Sequence, residues 1–206
     1  AVNAFHVAQA FGVNRGDTTL NFLPLFHTAG IQLVTLPTLI AGGTVIVLPG
    51  FDEARALALM PRLDVFFGVP AVYQQMALHP DFDRAEFAHV RAWGCGGAPL
   101  PDVLVERYAA KGVRVCNGYG MTETGPTAFV AAPEDALTKI GSVGKPQMLL
   151  DVRIVDAEEF GGIGRGHTHR LVQRQSVIVH QFRQPGIAFR RNDAAHQITA
   201  LAQGFS

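Results

Sequence analysis

The chain has 206 residues, of which 48% are hydrophobic and 17% charged, and its 17 basic side chains balance 17 acidic ones. This composition can bury a sizeable core and excludes wholesale disorder, and its neutral balance gives no electrostatic reason to expect nucleic acid or an anionic membrane as partner. The two cysteines, Cys95 and Cys116, indicate neither a disulfide framework nor a zinc site and favour a reduced, cytoplasmic setting.

Residues 1–156 alternate strand-like and helix-like patterns. In chain order, the predicted strands are Thr18–Leu23, Thr44–Leu48, Val65–Val69, Val90–Cys95, Val113–Cys116 and Leu149–Asp156. The predicted helices are Gly30–Ile40, a segment capped by Asp52 and running to about Met60, Ala71–Leu78 and Asp102–Lys111. This alternation predicts an α/β fold of βαβ units, with a mostly parallel sheet flanked by helices on both faces. The loops after Leu23, Cys95 and Cys116 are then the expected ligand site.

One uncharged stretch, Leu23–Gly50, is long enough to suggest a membrane span. Prolines and paired glycines interrupt it, so it is predicted to be a buried core segment and no transmembrane segment is expected. The first residues show no signal-peptide pattern. Because the sequence begins without Met, its natural start is expected further upstream.

Residues 157–206 differ in composition. They contain six basic and three acidic side chains, no lysine, and four of the eight histidines. Ser176–Val179 is a possible strand, and His167 and His169 have no acidic or cysteine partner in register for a metal site. The segment is predicted to be an unrelated or frame-shifted, weakly structured tail, which puts the domain boundary after residue 156.

The densest chemical signal is the segment NGYGMTETGP at residues 117–126. Its glycines let a ligand approach the backbone, and Tyr119 offers a flat face for a base. Thr122 offers a hydroxyl for a phosphate and Glu123 a carboxylate for Mg²⁺. The alternative is a glycine-rich strand-to-helix turn in which the threonine and glutamate only cap.

Two further segments follow predicted strands. The small residues of Gly94–Pro99 suit edge-on contact with a planar ring, although a tight βα turn would look the same. Pro24–Gly30 places His27 between a strand and a helix, where a histidine often only caps or packs. Three carboxylates, Asp64, Asp81 and Asp83, are predicted to cap helices or to face solvent.

Taken together, PLFHTAG, GCGGAPLP and NGYGMTETGP resemble the adenylate-forming superfamily, and within it the fatty-acid and aryl-acid CoA ligases. The resemblance includes Gly42–Thr44, Val69–Tyr73 and Gly141–Pro146, and so covers about residues 1–156. In such enzymes ATP and a carboxylic acid form an acyl-adenylate and pyrophosphate, and the CoA thiol then displaces AMP.

The resemblance also implies roles for single residues. His27, Thr122 and Glu123 would be catalytic: His27 orients the carboxylate and gates the thiol step, Thr122 meets the phosphate and Glu123 holds Mg²⁺. The nucleotide would be bound by Gly96, Gly97, Ala98, Pro99, Asn117, Gly118, Tyr119, Gly120, Met121 and Thr122, with Tyr119 stacked on adenine. The wall of the acyl pocket would include Gly118, Gly120, Met121 and Pro126.

Three elements of such ligases have no match in this sequence: the phosphate loop with its lysine, the ribose-binding acid and the C-terminal catalytic lysine. The chain is therefore predicted to be a fragment of an ATP-dependent acyl-CoA ligase that is inactive or crippled by itself. The alternative is a non-catalytic nucleotide-binding or interaction module. Expected partners are a small carboxylic acid, ATP and CoA, and exposed sheet edges could allow self-association.

Overall fold

The computed structural model describes residues 2–148, 150–153, 176–178, 187–192 and 197–202. The helices are α1 (Val2–Ala10), α2 (Leu36–Ala41), α3 (Glu53–Leu59), α4 (Pro70–Leu78) and α5 (Asp102–Ala109), with a π-helical segment at Ala29–Thr35 and a 3₁₀ turn at Met60–Arg62. The strands are β1 (Thr18–Asn21), β2 (Thr44–Val47), β3 (Val65–Gly68), β4 (Ala92–Cys95), β5 (Val115–Met121), β6 (Gly125–Val130), β7 (Lys145–Pro146), β8 (Asp151–Arg153), β9 (Ser176–Ile178), β10 (Ile187–Asn192) and β11 (Gln197–Ala202).

Seven strands form one sheet in the order β2-β1-β3-β4-β5-β6-β7. The first five are parallel, and β6 and β7 are antiparallel additions. This confirms the predicted α/β fold with a mostly parallel sheet. Strands β8 and β9 pair with each other, as do β10 and β11. The predicted strands Leu149–Asp156 and Ser176–Val179 are described only over β8 and β9, and their remaining residues lie outside the described ranges, apart from Leu150.

Alternating side chains divide the core into two clusters. Phe66 and Trp93 point to the side covered by α3, α4 and α5, whereas Val65, Phe67 and Ala92 point to the side covered by α1, the π-helical segment and α2. Successive residues of a strand face opposite sides of the sheet, so the two clusters lie on its two faces. The prediction of helices on both faces is confirmed.

The apolar stretch Leu23–Gly50 folds into the π-helical segment, α2 and β2. In the described part of the chain no helix is long and apolar enough to cross a membrane. The predicted helix over Gly30–Ile40 begins with a π-helical turn, in which the Gly30 carbonyl accepts hydrogen bonds from Asn21 Nδ2 at 3.2 Å and Thr35 Oγ1 at 2.8 Å. Side-chain donors inserted into a helical ladder are a common cause of such irregularities.

The helix-capping prediction at Asp52 is confirmed, since its Oδ1 accepts from the Arg55 N–H at 2.8 Å. Helix α1 was not predicted from the sequence. It contains neither an acidic residue in its first turn nor a basic one in its last turn, so these two signals of a helix are missing. Its side chains, such as Val7, pack against the sheet and stabilise the helix instead.

One boundary prediction is wrong in a way that changes the site. The strand predicted at Val113–Cys116 extends from Val115 to Met121, and β6 follows it after a short turn instead of a helix. Glycine is unfavourable in strands, which is why the sequence pattern suggested a loop. Here β6 pairs with the glycine-rich stretch, with Gly118 opposite Val130. The motif at 117–126 is therefore a β-hairpin.

Arg91 joins the amino ends of three neighbouring strands. Its guanidinium pairs with Asp17, before β1, and lies 3.2 Å from Oδ1 of Asp64, before β3. Asp64 also accepts from the Thr18 N–H at 2.8 Å. The prediction that Asp64 caps a helix or faces solvent is therefore wrong, because its two oxygens contact Arg91, before β4, and the Thr18 N–H of β1. Asp81 and Asp83 are exposed.

Replacing Arg91 with alanine should lower the free energy of unfolding by about 2 kcal/mol or more, because two partly buried carboxylates lose their shared cation. Arg84→Ala removes an exposed arginine nearby and should change stability by less than about 0.5 kcal/mol. Urea unfolding followed by circular dichroism measures both. Equal, small effects would contradict a structural role for Arg91.

The two thiols should be unreactive in the folded chain and should make it alkali-sensitive. Burial raises the pKa of Cys95 to about 12 and that of Cys116 to about 11. The unfolded thiols ionise near 9.0, so folding stability is intact below that pH and declines as pH rises toward 11–12. An Ellman titration at pH 8 should detect both thiols in urea and neither without it. Rapid reaction of the folded chain would show that the thiols are not buried.

Candidate active site at the carboxyl edge of the sheet

The structure brings two predicted segments side by side. Strands β4 and β5 are parallel neighbours, with Cys95 opposite Asn117, so Gly96 leaves the sheet beside Gly118. A Cβ atom on Gly96 would lie 3.4 Å from the Gly118 carbonyl oxygen. The segments 96–99 and 117–123 therefore share the carboxyl edge of the sheet, where ligands of parallel sheets bind.

The loop after β4 presents small residues to solvent. Gly96 is buried and donates its N–H to the Gly68 carbonyl at 3.3 Å. Gly97, Ala98 and Pro99 are exposed, and Gly97 has a φ of +83°, in the region that favours glycine. An exposed ledge without large side chains can accommodate a planar group.

Tyr119 is the aromatic residue of β5. It is half-buried and packs against Phe129 of β6, with ring centroids 6.1 Å apart. Its hydroxyl lies 3.9 Å from Met121 Sδ. Burial raises the pKa of Tyr119, so the ring remains a neutral phenol at physiological pH. Phe129, which supports this ring, was not found by the motif, because it belongs to the partner strand.

Asn117 ends the buried part of β5. Its side chain is 9% exposed, and within the described residues its Oδ1 has no hydrogen-bond partner. A buried acceptor without a donor costs about 1–3 kcal/mol, so such atoms are uncommon in folded proteins unless a ligand or water satisfies them. A ligand or water molecule that reaches this atom from the carboxyl edge would remove that cost.

The turn between β5 and β6 is closed by Thr124. Its Oγ1 accepts from the Met121 N–H at 3.1 Å, and its own N–H donates to the Met121 carbonyl at 3.2 Å. Thr122 and Glu123 are exposed at the tip, and their side chains make no hydrogen bond or ion pair with any described residue. Thr124 therefore closes the turn, and no sequence pattern indicated this role.

His27 lies at the same edge but farther along it. It follows β1, which is separated from β4 by β3, a distance of about 10 Å at the usual ~4.8 Å strand spacing. The ring is exposed, and its Nδ1 accepts from the Ala29 N–H at 3.1 Å. In the neutral ring the proton then resides on Nε2. The structure does not bring His27 into contact with the two glycine segments.

The donor atoms at the hairpin tip suit a hard cation only in part. No group of three or more His, Cys, Asp or Glu side chains that could hold a metal occurs in the described ranges. The Glu123 carboxylate and the Thr122 hydroxyl are oxygen ligands of the kind that Mg²⁺ prefers. They fit a Mg²⁺ ion that takes its remaining ligands from nucleotide phosphates and water.

A cleft of about 260 Å³ lies elsewhere, at the amino ends of β4 and β5. Its walls include Arg91, Trp93, Lys111 and Arg114. Arg91 is already paired with Asp17 and Asp64, so this cleft has less uncompensated positive charge than its residue types suggest. Parallel sheets bind ligands at the opposite edge, and we therefore favour the carboxyl edge as the site.

Residues 1–177 match the family model described as AMP-binding enzyme, and the chain therefore belongs to the AMP-binding enzyme family. This confirms the resemblance drawn from the three motifs. The match continues beyond residue 156, where the sequence predicted a domain boundary. That boundary and the origin of the residues after it stay predictions.

Among curated relatives, feruloyl-CoA synthase of Amycolatopsis sp is 43% identical over 154 residues, which are 74% of this chain and 31% of that protein. Long-chain-fatty-acid–CoA ligase FadD13 of Mycobacterium tuberculosis is 35% identical over 149 residues, 71% of this chain and 29% of that protein. The crystal structure of the N-terminal domain of FACL13 from Mycobacterium tuberculosis superposes with a TM-score of 0.67 at 33% identity, covering 71% of this chain and 37% of that one. The chain thus spans less than a third of the length of these curated relatives.

Gly120→Ala should destabilise the hairpin by about 1–3 kcal/mol. A Cβ atom there would lie 2.4 Å from the backbone carbonyl of Pro126, which cannot move without breaking the β5–β6 pairing. Gly50→Ala is the matched control, because a Cβ atom on Gly50 would meet nothing within 4 Å. Thermal unfolding gives the melting temperatures of the two variants, and that of Gly120→Ala should be the lower. Equal melting temperatures would contradict the close approach of the two strands.

Proposed function

We propose that this chain carries the nucleotide-binding and acid-binding edge of an ATP-dependent acyl- or aryl-acid CoA ligase. In that reaction a carboxylate oxygen attacks the α-phosphorus of ATP and pyrophosphate leaves. The CoA sulfur then attacks the acyl carbon, its proton is lost and AMP leaves. The observation that carries the proposal is that segments 96–99 and 117–123 lie side by side, and that the second begins with a buried acceptor, Asn117 Oδ1, which has no partner among the described residues.

The adenine is proposed to lie between the ledge at Gly97–Pro99 and the ring of Tyr119. Stacking on an aromatic ring contributes about 1–3 kcal/mol per base. Asn117 Oδ1 is an acceptor and would accept a hydrogen bond from the 6-amino group of adenine. Guanine has a carbonyl oxygen at that position and could not donate. Burial of Asn117 supports this role, since a buried acceptor discriminates strongly against a ligand without the donor.

The phosphates are proposed to lie at the hairpin tip. Thr122 would donate a hydrogen bond from its hydroxyl to a phosphate oxygen, and Glu123 would hold Mg²⁺ together with the phosphates. Bound Mg²⁺ neutralises charge that develops on the phosphates. Both side chains are exposed and form no hydrogen bond or ion pair with a described residue, which supports these roles. Thr124 keeps the turn closed and thereby positions them.

The acid is proposed to bind between the hairpin and His27. Gly118, Gly120, Met121 and Pro126 would form part of the acyl wall, while Nε2–H of His27 would donate a hydrogen bond to the substrate carboxylate and orient it. The curated relatives act on an aromatic acid and on long-chain fatty acids by their names, and we propose the same two acid classes for this chain. Cysteine usage supports placing the reaction in the cytoplasm.

By themselves, the 206 residues are proposed to bind nucleotide without efficient turnover. Their three lysines are Lys111, Lys139 and Lys145, and the resemblance matches none of them to the lysine of the phosphate loop or to the C-terminal catalytic lysine. Each missing electrostatic group typically reduces the rate by about 10²–10³-fold. ATP–pyrophosphate exchange with feruloyl-type and fatty acids tests this point: exchange at a rate typical of a ligase would contradict it, whereas binding without exchange supports it.

The nucleotide site is tested by calorimetry on Tyr119 and Glu123 variants. Tyr119→Ala should weaken AMP binding about 5–100-fold, and Tyr119→Phe, which keeps the stacking ring, should bind within about threefold of the unaltered chain. Glu123→Gln should weaken Mg²⁺-dependent ATP binding and leave AMP binding in EDTA unchanged. Unchanged AMP affinity of Tyr119→Ala would overturn the proposed site.

A further inference from the structure

The carboxyl end of β1 carries a buried asparagine whose side chain is hydrogen-bonded through both its oxygen and its nitrogen. Asn21 is 0% exposed, and its backbone carbonyl accepts from the Leu48 N–H at 2.9 Å. Its Oδ1 accepts from the Leu23 N–H at 2.9 Å, and its Nδ2 donates to the Gly30 carbonyl at 3.2 Å and to Thr35 Oγ1 at 3.0 Å. An N–H on one side and a carbonyl on the other allow a single orientation of the amide.

These hydrogen bonds join the two ends of the loop that carries His27. The loop follows β1 through Leu23 and returns at Gly30, a buried residue of the π-helical segment. Its ends are in contact, since a Cβ atom on Gly30 would overlap the Pro24 carbonyl oxygen and lie 2.8 Å from the Leu23 carbonyl oxygen. Asn21 binds both ends at once, and its side chain therefore closes the loop at its base.

The hydrogen bonds continue from Asn21 to the backbone of His27. The Gly30 carbonyl and the Ile31 N–H belong to one peptide group, and this N–H donates to the His27 carbonyl at 3.2 Å. Thr35 Oγ1 donates to the same Gly30 carbonyl at 2.8 Å. Because a peptide group is planar, fixing its carbonyl also fixes the direction of its N–H. Asn21 and Thr35 therefore orient the group that binds the His27 backbone.

The ring of His27 is oriented by the same segment. Its Nδ1 accepts from the N–H of Ala29, the residue directly before Gly30, at 3.1 Å. While Nδ1 is an acceptor, the neutral ring carries its proton on Nε2. If Ala29 moved away, the proton could move to Nδ1, and Nε2 would become an acceptor that repels a carboxylate. The tautomer of His27 thus depends on the position at which the π-helical segment begins.

We propose that Asn21 is a positioning residue for the acid substrate. By closing the base of the loop, it places the His27 ring and keeps the ring proton on Nε2, where it can donate a hydrogen bond to a carboxylate. This rests on the proposed function for one point, the binding of the acid at His27. Asn21 is itself buried and acts through the loop, and its three side-chain hydrogen bonds are formed entirely within the described residues.

Ring-nitrogen chemical shifts of the ¹⁵N-histidine-labelled full chain test the proposal. The spectrum is recorded at about pH 8, where most histidine rings are neutral, and His27→Gln assigns the His27 signals. The unaltered chain should have a protonated Nε2 and an unprotonated Nδ1. Asn21→Leu removes the amide and keeps a similar volume, and the ratio of the two tautomers should fall by about 3–10-fold, the effect of one lost hydrogen bond. An unchanged ratio would overturn the proposal.

Thr38→Val is the control for a general loss of stability. Thr38 is 1% exposed, and its Oγ1 donates to the Val34 carbonyl at 2.8 Å and lies 3.0 Å from Thr19 Oγ1. The variant therefore also removes buried hydrogen bonds, none of them to the His27 loop, and the tautomer ratio should stay within about twofold of its original value. An equal fall in both variants would mean that Asn21 contributes to stability alone, and would refute its positioning role.

If Asn21→Leu fails to fold, variants of Thr35 decide. Thr35→Val removes the hydroxyl that supports the Gly30 carbonyl, whereas Thr35→Ser keeps it. The tautomer ratio of His27 should fall in Thr35→Val and be restored in Thr35→Ser. Equal ratios in these two variants would contradict a link between the Gly30 carbonyl and the ring.

Calorimetry with ferulate in the presence of AMP separates this proposal from the proposed function. Asn21→Leu should weaken ferulate binding by about tenfold or more, the effect of a lost hydrogen bond to a charged group, and should leave AMP affinity unchanged. A changed tautomer ratio with unchanged ferulate affinity would overturn the positioning role. If the unaltered chain binds AMP but no ferulate, the acid site of the proposed function is wrong, and the ring-nitrogen shifts alone decide whether Asn21 fixes the tautomer of His27.

Discussion

Strand β5 runs parallel to β4 with Asn117 opposite Cys95, and this register determines which residues share the carboxyl edge of the sheet. A shift by one residue would turn Tyr119 to the other face and separate the glycine segments. Close packing holds the register: a Cβ atom on Gly94 of β4 would lie 2.5 Å from the Phe67 ring. The geometry of the site therefore follows from the packing of the sheet behind it.

The polar groups at the amino ends and at the carboxyl ends of the strands differ in whether they are paired. At the amino edge, Arg91, Asp17 and Asp64 satisfy one another and hold three strands together. At the carboxyl edge, Thr122, Glu123 and the Asn117 Oδ1 atom have no such partners among the described residues. Polar groups that are paired with one another stabilise the fold, whereas the buried Asn117 Oδ1 atom costs stability as long as it lacks a donor.

The sequence was sufficient for the fold class and for most elements, because apolar runs and turn residues report local structure directly. It was insufficient for α1, whose first turn has no acidic residue and whose last turn has no basic one, and for β5, where glycines that discourage a strand are overridden by pairing with β6. At the site, the motif pointed to Tyr119 and Glu123, yet Phe129 and Thr124, which hold them in place, are defined by tertiary contacts that no local pattern reveals.

The most direct test of the central claim is a map of backbone amide shifts when the ¹⁵N-labelled chain is titrated with AMP. We expect shifts confined to the carboxyl edge, at Gly96, Gly97 and residues 117–123. We expect none at Arg91 or Gly112, which border the amino-end cleft. Shifts centred on that cleft, with the carboxyl edge unchanged, would contradict a nucleotide site at the carboxyl edge.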